Sequence, residues 1–333
     1  MRIAVDAMGG DYAPEQIVAG AVLAAAELDA RIALVGDPEA IAAQMTDGAH
    51  HERLEVEPAG DVIAMGESPR AALRGRDDSS MARAVDLVCT GAAQAVFSAG
   101  NSGAFMALSA MRMGMIPGVR RPAVAVTLPN ENGHRVLLDA GANADCKPEH
   151  LVEFGLMGSV YAEHALGIDN PSVGLLSIGE EKGKGNELTK AAHELLETAD
   201  LNFCGNVEGG DVFSGRCDVI VCDGFVGNVV LKVTEGAADL LVRNIRRVVM
   251  ETPQLQAVAP AFAEVLKALS GEFDASEYGG ALLLGVNGVS IVGHGCSDAH
   301  AVQNAIRFAQ RAVDGRLIAH LCDVFSARAQ ATA

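Results

Sequence analysis

The residues best suited to chemistry lie at 172–187, Ser-Val-Gly-Leu-Leu-Ser-Ile-Gly-Glu-Glu-Lys-Gly-Lys-Gly-Asn-Glu. The apolar run 173–178 reads as a buried strand. It breaks into Gly179, Glu180, Glu181, Lys182, Gly183, Lys184 and Gly185, and a helix-forming segment starts at Asn186. Strand, glycine loop and helix N-terminus together hold an anion. Glycines let backbone N–H groups approach, the helix dipole favours negative charge, and a lysine adds a point charge. Lys184 stands where the second glycine of G-x-x-x-x-G-K would fall, and Leu188 where the third glycine of G-x-G-x-x-G would fall. The loop therefore suits an oxyanion but matches neither common nucleotide motif; the bland alternative is an exposed charged turn. Lys184 is the first choice for the cation, with Gly179, Gly183, Gly185 and Asn186 around it, whereas Lys182 sits beside two glutamates.

The elements that must position this loop recur along the chain as an apolar strand, a Gly/Asp/Asn loop and an amphipathic helix. Residues 2–5 lead into Asp6-Ala-Met-Gly-Gly-Asp11 and a helix over about 14–28; residues 32–35 lead into Gly36-Asp37-Pro38. Residues 95–97 lead into Ser98-Ala-Gly-Asn-Ser-Gly103 and a Met- and Ala-rich helix, and 136–138 into Asp139-Ala-Gly-Ala-Asn-Ala-Asp145 and a helix near Pro148. Residues 219–221 lead into Asp223-Gly-Phe-Val-Gly-Asn228 and a long helix. Such alternation predicts an α/β fold of three layers, a mostly parallel sheet with helices on both faces. Ligands in these sheets bind beyond the carboxyl ends of strands, so the polar loops are expected to share one cleft.

Residues 229–276 break the rhythm. Leu241, Ile245, Val248 and Val249 fall at helical spacing, interleaved with Arg243, Arg246 and Arg247, and Pro253 marks the end. A second helix, with Phe262, Val265, Leu266 and Leu269 on one face, is expected to stop at Gly271. The expected division is an α/β body of 1–228 and 277–333 with a projecting helical hairpin of 229–276, used for subunit packing, partner docking or membrane contact. Strand returns at 281–285 and 289–292, and Ser297 is the expected cap of a final helix through Leu317.

Composition excludes several classes. The 333 residues are 50% hydrophobic and 20% charged, which describes a folded globular protein. No apolar run reaches the roughly 18–20 residues of a membrane span, and Asp6 and Asp11 interrupt any signal-peptide core, so a cytoplasmic location is expected. Seven scattered cysteines without a C-x-x-C pair fit reduced thiols. A net charge of −18 argues against nucleic-acid binding. An anionic substrate then needs local basic patches, of which Arg120–Arg121 and Arg243, Arg246 and Arg247 are the candidates.

Taken in order, the loops resemble those of one family, the acyl-(acyl carrier protein):phosphate acyltransferases of bacterial phospholipid synthesis. The matching stretches include Ile3-Ala-Val-Asp-Ala-Met-Gly-Gly-Asp11, Ser98-Ala-Gly-Asn-Ser-Gly103, Leu138-Asp-Ala-Gly-Ala-Asn-Ala-Asp145 and Lys147-Pro-Glu-His-Leu151. They continue through Ile178-Gly-Glu-Glu-Lys-Gly-Lys-Gly-Asn-Glu187, Gly205-Asn-Val-Glu-Gly209 and Cys222-Asp-Gly-Phe-Val-Gly-Asn228 to Tyr278-Gly-Gly-Ala-Leu-Leu-Leu-Gly285 and His294-Gly-Cys-Ser-Asp298. The resemblance runs to about Ala309 and is weakest at 40–59 and after Arg316. It implies an isocitrate/isopropylmalate-dehydrogenase-like fold, a homodimer, and conversion of an acyl carrier protein thioester and inorganic phosphate to acyl phosphate. It implies no cofactor.

For that reaction phosphate is already an anionic nucleophile and a thiolate with a pKa of about 8.5 leaves readily. The protein's tasks are to hold phosphate, place the carbonyl and stabilise an oxyanion. Lys184 is the expected phosphate cation; Asn143 and Asn228 are oxyanion donors; His294 is a donor to thiolate or phosphate. Asn101, Ser102 and Gly103 are expected to bind phosphate or the carbonyl, and Gly9, Gly10 and Gly224 to lend backbone donors. Asp6, Asp11, Asp145 and Asp223 are expected to orient cations or loop amides, with loop capping as the alternative. His294, Cys296 and His300 alternate like metal ligands, but a cap within the run leaves no metal site expected. Cys146 invites a covalent acyl-enzyme, a step that attack by phosphate does not require. The runner-up activities are a short-chain acyl-CoA phosphotransacylase and a non-catalytic acyl-carrier or membrane scaffold. Further partners expected are a membrane-bound glycerol-3-phosphate acyltransferase and, weakly, the membrane surface.

Overall fold

Apolar runs such as Arg2–Asp6, Ile3 to Val5 of which are sealed from solvent, can form strands only where both faces are covered. The computed structural model, which describes residues 1–45, 52–130, 133–256, 259–273 and 279–331 apart from the side chains of 267–273 and 331, gathers these runs into one sheet. Its strands are β1 (Arg2–Asp6), β2 (Arg31–Gly36), β3 (Leu54–Pro58), β4 (Ala95–Ser98), β5 (Ala123–Asn130), β6 (Gly133–Leu138), β7 (Ser172–Leu176), β8 (Asn202–Val207), β9 (Val219–Val221), β10 (Ala281–Leu284) and β11 (Val289–Val292). They lie in the order β3-β2-β1-β4-β11-β10-β5-β6-β9-β7-β8.

Helices cover both faces: α1 (Glu15–Glu27), α2 (Pro38–Gln44), α3 (Pro69–Ala72), α4 (Ser80–Cys89), α5 (Ser102–Met113), α6 (Pro148–Leu166), α7 (Glu187–Leu196), α8 (Gly224–Glu251), α9 (Pro253–Gln256), α10 (Ala259–Phe273), α11 (Ala299–Asp314) and α12 (Leu317–Ala331). One core packs α1, α6 and α11 against one face through Ile17, Phe154, Tyr161 and Phe308. A second packs α4 and α5 against the other through Met81, Val85, Phe105 and Leu108. The expected three-layer α/β fold is present.

Pairing is parallel except where β10 meets β11 and β5, and where β5 meets β6. These reversals correct the expectation of one cluster of loops. β6, β9, β7 and β8 run opposite to β3, β2, β1, β4 and β11, so the two sets of carboxyl ends leave opposite edges of the sheet. The loops after β6, β9 and β7 thus form one cluster and those after β1, β4 and β11 another.

β3, β5 and β8 have no counterpart in the sequence reading. β3 is the edge strand Leu-Glu-Val-Glu-Pro, whose acids disguise it and pair with Arg2 and Arg31. Ser297 does not cap α11; its hydroxyl donates to the His294 carbonyl, and Asp298 accepts from the Ala301 N–H instead. The chain breaks after Asp314, with Arg316 at φ 51°, and continues as α12, which buries Phe325. In the 229–276 segment α10 continues past Gly271 to Phe273, Leu266 is buried, Phe262 and Val265 are exposed, and Leu269 lies outside the described side chains. Of the apolar positions on α8, Val249 is buried while Leu241, Ile245 and Val248 lie open. Residues 274–278, including Tyr278 and Ser276 of the motifs above, lie outside the described residues.

α8 starts as a close fit. A Cβ on Gly227 would come to 1.9 Å from the Asp139 carbonyl oxygen, whereas one on Gly236, further along the same helix, meets nothing within 4 Å. Helix propensity alone makes Gly→Ala stabilising by about 1 kcal/mol. Gly236→Ala should therefore raise the thermal midpoint and Gly227→Ala should lower it, by about 1–3 kcal/mol of overpacking. Equal stabilisation by both would remove the close approach from the account.

Candidate active site

The best-ordered loop follows β6. Asp139 is fully buried, and its carboxylate accepts from Val124 N (3.0 Å), Gly141 N (3.1 Å), Ala142 N (2.9 Å), Asn143 N (2.8 Å) and Asn143 Nδ2 (2.9 Å). Gly141, at φ 143°, lets the loop fold over the carboxylate. Asn143 Nδ2 also donates to the Pro122 carbonyl at 2.7 Å. Both amide hydrogens of Asn143 are thereby spent on the loop, so it positions the site rather than donating to a substrate in this conformation.

The β9 loop closes against this one. Asp223 caps α8 by accepting from Val226 N at 2.9 Å, and Gly224 N donates to the Asn143 carbonyl at 2.8 Å. Gly224 is needed there: a Cβ would stand 2.7 Å from Asp139 Oδ2. Asn228 lies one turn into α8, against Gly141, exposed and without a hydrogen-bond partner among the described residues. Further along, Leu231, Thr234 and Glu235 form one wall of a groove floored by Val126 and Leu128 of β5 and closed by Gly280, Ala281 and His294. At 1.5 Å per residue, Asn228 and Glu235 are about 10 Å apart along the helix. α8 thus starts at the β6 and β9 loops and, further along, walls the groove that His294 helps to close.

The loops after β1, β4 and β11 make that far end. Asp6 is buried, accepting from Ser80 Oγ (2.6 Å) and Ser98 Oγ (2.7 Å); burial pushes its carboxyl up, and these hydrogen bonds oppose the shift. Gly9 lies so close to Gly100 that a Cβ would come within 2.9 Å of its nitrogen, and Asp11 N donates to the Gly295 carbonyl at 2.7 Å. Gly10, at φ 119°, lies beside Ala99 and Gly295. Asn101 caps α5 through Ala104 N, and its Nδ2 donates to the Met65 and Glu67 carbonyls at 2.8 and 2.7 Å. Gly103 lies under Pro69, and Ser102 is exposed at the helix start. Asn101 is thus also a positioning residue, holding residues 64–69 over this turn.

The glycine loop after β7 is held from outside. Asn206 Nδ2 donates to the Glu181 carbonyl (3.0 Å), Arg216 ion-pairs with Glu180 (2.6 Å), and Lys182 pairs with Glu197. Asn186 caps α7 by accepting from Thr189 N at 2.9 Å. Gly185, at φ 103°, leaves room for Thr189 and for Ser177, whose buried hydroxyl has no partner among the described residues. Lys184 is exposed, its stem lies over Gly179, and it has no acid partner among the described residues. The two lysines differ: Lys182 pairs with Glu197 rather than with the adjacent Glu180 or Glu181, and Lys184 stands without an acid partner among the described residues.

One carboxylate went unassigned in the sequence. Asp139 lay within a quoted motif without a role, although an Asp directly after a buried strand and before Gly-Ala-Asn is the signal of a loop-closing carboxylate. Arg121, named in sequence as part of a basic patch, faces the same loop. With Arg120 and Lys147 it surrounds His150, whose pKa is lowered by burial and then by these charges. Arg120 is bound to the buried Glu153 at 2.9 Å, which leaves Arg121 and Lys147 without acid partners among the described residues. On α8, Arg243 pairs with Asp239 (2.6 Å), Arg247 with Glu251 (3.2 Å), and Arg246 is exposed.

Comparison with known proteins fits this arrangement. Residues 1–320 match a family described as "Fatty acid synthesis protein". The phosphate acyltransferase of Pelotomaculum thermopropionicum is 51% identical over 319 residues, covering 96% of this chain and 93% of that protein. That of a Nostoc species is 47% identical over 324 residues, covering 96% and 95%. The chain belongs to the phosphate acyltransferase family. It is an acyltransferase by that membership. Among solved structures, a phosphotransacetylase from Streptococcus pyogenes superposes with a TM-score of 0.62 at 18% identity, covering 94% of each chain. A 4-hydroxythreonine-4-phosphate dehydrogenase from Klebsiella pneumoniae superposes at 0.53 with 13% identity, covering 93% and 98%. At such identities these two speak for the fold alone, and they are of the expected kind.

Cys146 lies behind the Asp139 loop, with its sulfur 3.7 Å from the Asn143 carbonyl. Burial, with Asp139 nearby, pushes its thiol up to about 12. The thiolate, the reactive form, is then scarce at neutral pH. Cys146 in the native acyltransferase should resist iodoacetamide at pH 8, and Cys146→Ser should keep most of the turnover. Rapid alkylation of Cys146 with parallel loss of activity would contradict this.

Proposed function

We propose that the enzyme transfers a long-chain fatty acyl group from acyl-(acyl carrier protein) to inorganic phosphate, giving acyl phosphate for phospholipid synthesis. The observation that carries this reading is the unpaired Lys184 on its glycine loop at the start of α7, in a chain half identical to phosphate acyltransferases. A phosphate oxygen attacks the thioester carbonyl, and the C–O bond forms as the carbonyl becomes an oxyanion. On collapse the C–S bond breaks and the thiolate leaves, taking a proton from solvent. Lys184 and the amides around Gly183, Gly185 and Asn186 hold the phosphate, with Gly179 giving the lysine stem its room. Asn228 is the oxyanion donor, carried by Asp223 and Gly224 on the Asp139-ordered loop. His294 donates towards the leaving sulfur. Asn143, Asn101 and Asp6 position these loops; Gly9, Gly10, Ser102 and Gly103 shape the far end.

The partners follow from charge and surface. The acyl carrier protein docks on Arg243, Arg246 and Arg247. Exposed pairs such as Arg243–Asp239 are weak and exchange readily for a partner's acids. The open stripe of Leu240, Leu241, Ile245 and Val248 supports packing of α8 and α10 in a homodimer, with residues 229–276 as a separate docking unit on the 1–228 and 277–333 body. Phe262 and Val265 offer only a weak membrane contact, near a membrane-bound glycerol-3-phosphate acyltransferase that would take the product. No helix among the described residues is long and apolar enough to cross a membrane. The enzyme is then cytoplasmic, at most peripheral to the inner membrane face.

Incubation with phosphate and either palmitoyl-carrier protein or a short-chain acyl-CoA, followed by capture of acyl phosphate with hydroxylamine, tests the reading. Turnover with the carrier-bound substrate supports it; turnover with short acyl-CoA alone favours the phosphotransacylase alternative; no hydroxamate with either leaves a scaffold. In the same assay Lys184→Ala should raise the KM for phosphate about 10- to 100-fold, the worth of one charge-assisted contact. The KM for the thioester should stay unchanged. An unaltered phosphate KM would remove the β7 loop from the phosphate site.

A further inference from the structure

We propose that Cys204 and Cys217 form a redox-active dithiol, a modification site in which Cys204 reacts with hydroperoxides and Cys217 resolves the product to a disulfide. The geometry begins with a break in the β7–β8 ladder. Val173 pairs with Phe203 and Gly174 with Gly205, so Cys204 is the extra residue of a bulge. Cys204 is exposed there, while Cys217, leading into β9 on the other side of β7, is buried. Between them lies Gly174, and a Cβ at that position would stand 2.8 Å from Cys217 Sγ. The missing side chain leaves the space over the strand in which the two thiols can approach each other.

The surroundings favour a thiolate. Arg216 lies beside Cys204, and Arg135 lies near Cys217. Arg135 is fully buried; its Nη1 donates to the Asp211 carbonyl at 2.6 Å, and its Nε and Nη2 have no partner among the described residues. A buried guanidinium with spare donors is costly unless a negative group faces it. The opposing charge is Asp218, whose carboxylate is occupied by Ser172 N and Oγ at 2.8 and 2.6 Å. Asp211 and Glu180 are held by Arg216. The hydrogen bond from Cys217, then Arg216, brings the Cys204 thiol down to about 7 against the effect of burial, while Cys217 is pushed up by holding the shared proton. Burial moves Cys89, Cys146, Cys222 and Cys322 upward.

The steps balance with a hydroperoxide as oxidant. The Cys204 thiolate attacks the O–O bond; an S–O bond forms, and the leaving oxygen departs as hydroxide or alkoxide and takes a proton. Cys217, losing its proton to water, attacks the sulfenic sulfur; the S–S bond forms and hydroxide leaves as water. Two thiols are oxidised and one peroxide is reduced.

The test uses the full chain. At pH 7 a thiol of pKa 7 is about fifteen times more ionised than one of 8.5, and its lower nucleophilicity leaves about a threefold advantage. Iodoacetamide should therefore label Cys204 about threefold faster than glutathione, and faster than exposed Cys89. Cys217→Ser should remove that advantage. One equivalent of hydrogen peroxide should yield a linked 204–217 peptide, reversed by dithiothreitol, and in Cys217→Ser a dimedone-trappable sulfenic acid at Cys204. Labelling of Cys204 no faster than glutathione, or sulfinic acid at Cys204 in the wild-type chain without a linked peptide, would overturn the proposal.

Discussion

The Asp139 carboxylate is the interaction on which the rest of the site depends. It draws together the start of β5, the loop after β6 and, through that loop, the first turn of α8. A polar group sealed from water is costly unless hydrogen-bonded throughout. Five donors meet that demand here, three of them successive backbone amides. The same packing forces glycine at 224 and 227, because Asp139 and Asn143 occupy the space any side chain would need. The direction of α8 is fixed by these contacts, and so is the groove that it walls. Side chains on the first turns of α8, Asn228 among them, are then placed by a rigid scaffold.

A second constraint is electrostatic. The chain carries a net charge of −18, and an anion reaches it only where cations escape their acid neighbours. Many of the basic side chains do not: Arg76, Arg112, Arg216, Lys182 and Arg307 are all held in ion pairs. Lys184, Arg121 and Lys147 are left unpaired among the described residues, and each stands at a loop that follows or precedes a strand end. Local positive potential inside a globally acidic surface would favour a small anion over an extended one.

Much of the architecture was legible in the sequence because buried parallel strands have nowhere to put polar groups. β1, β4, β9 and β11 are near-continuous apolar runs followed by Gly, Asp or Asn. β3 was not legible, since an edge strand tolerates Glu55 and Glu57, nor was β5, which follows Pro122 and contains Pro129. The reversal of strand direction was also hidden, for it depends on the pairing partners of β10 and β5 and not on local composition. At the site, sequence identified the loops but not how each side chain is used. Asn143 and Asn228 are the same residue type in similar sequence motifs, yet one, in a loop, spends its amide on Asp139 and Pro122, while the side chain of the other, on α8, has no partner among the described residues. Only the contacts distinguish them.

The central claim is that phosphate attacks the thioester directly, with no protein nucleophile between them. The half-buried Cys146, whose thiol is pushed up to about 12, points that way. Initial rates measured over a grid of acyl-carrier protein and phosphate concentrations test it most directly. Direct transfer needs both substrates bound together, so double-reciprocal plots should intersect. Parallel lines, with a burst of carrier protein released before phosphate is added, would show an acyl-enzyme and contradict the account.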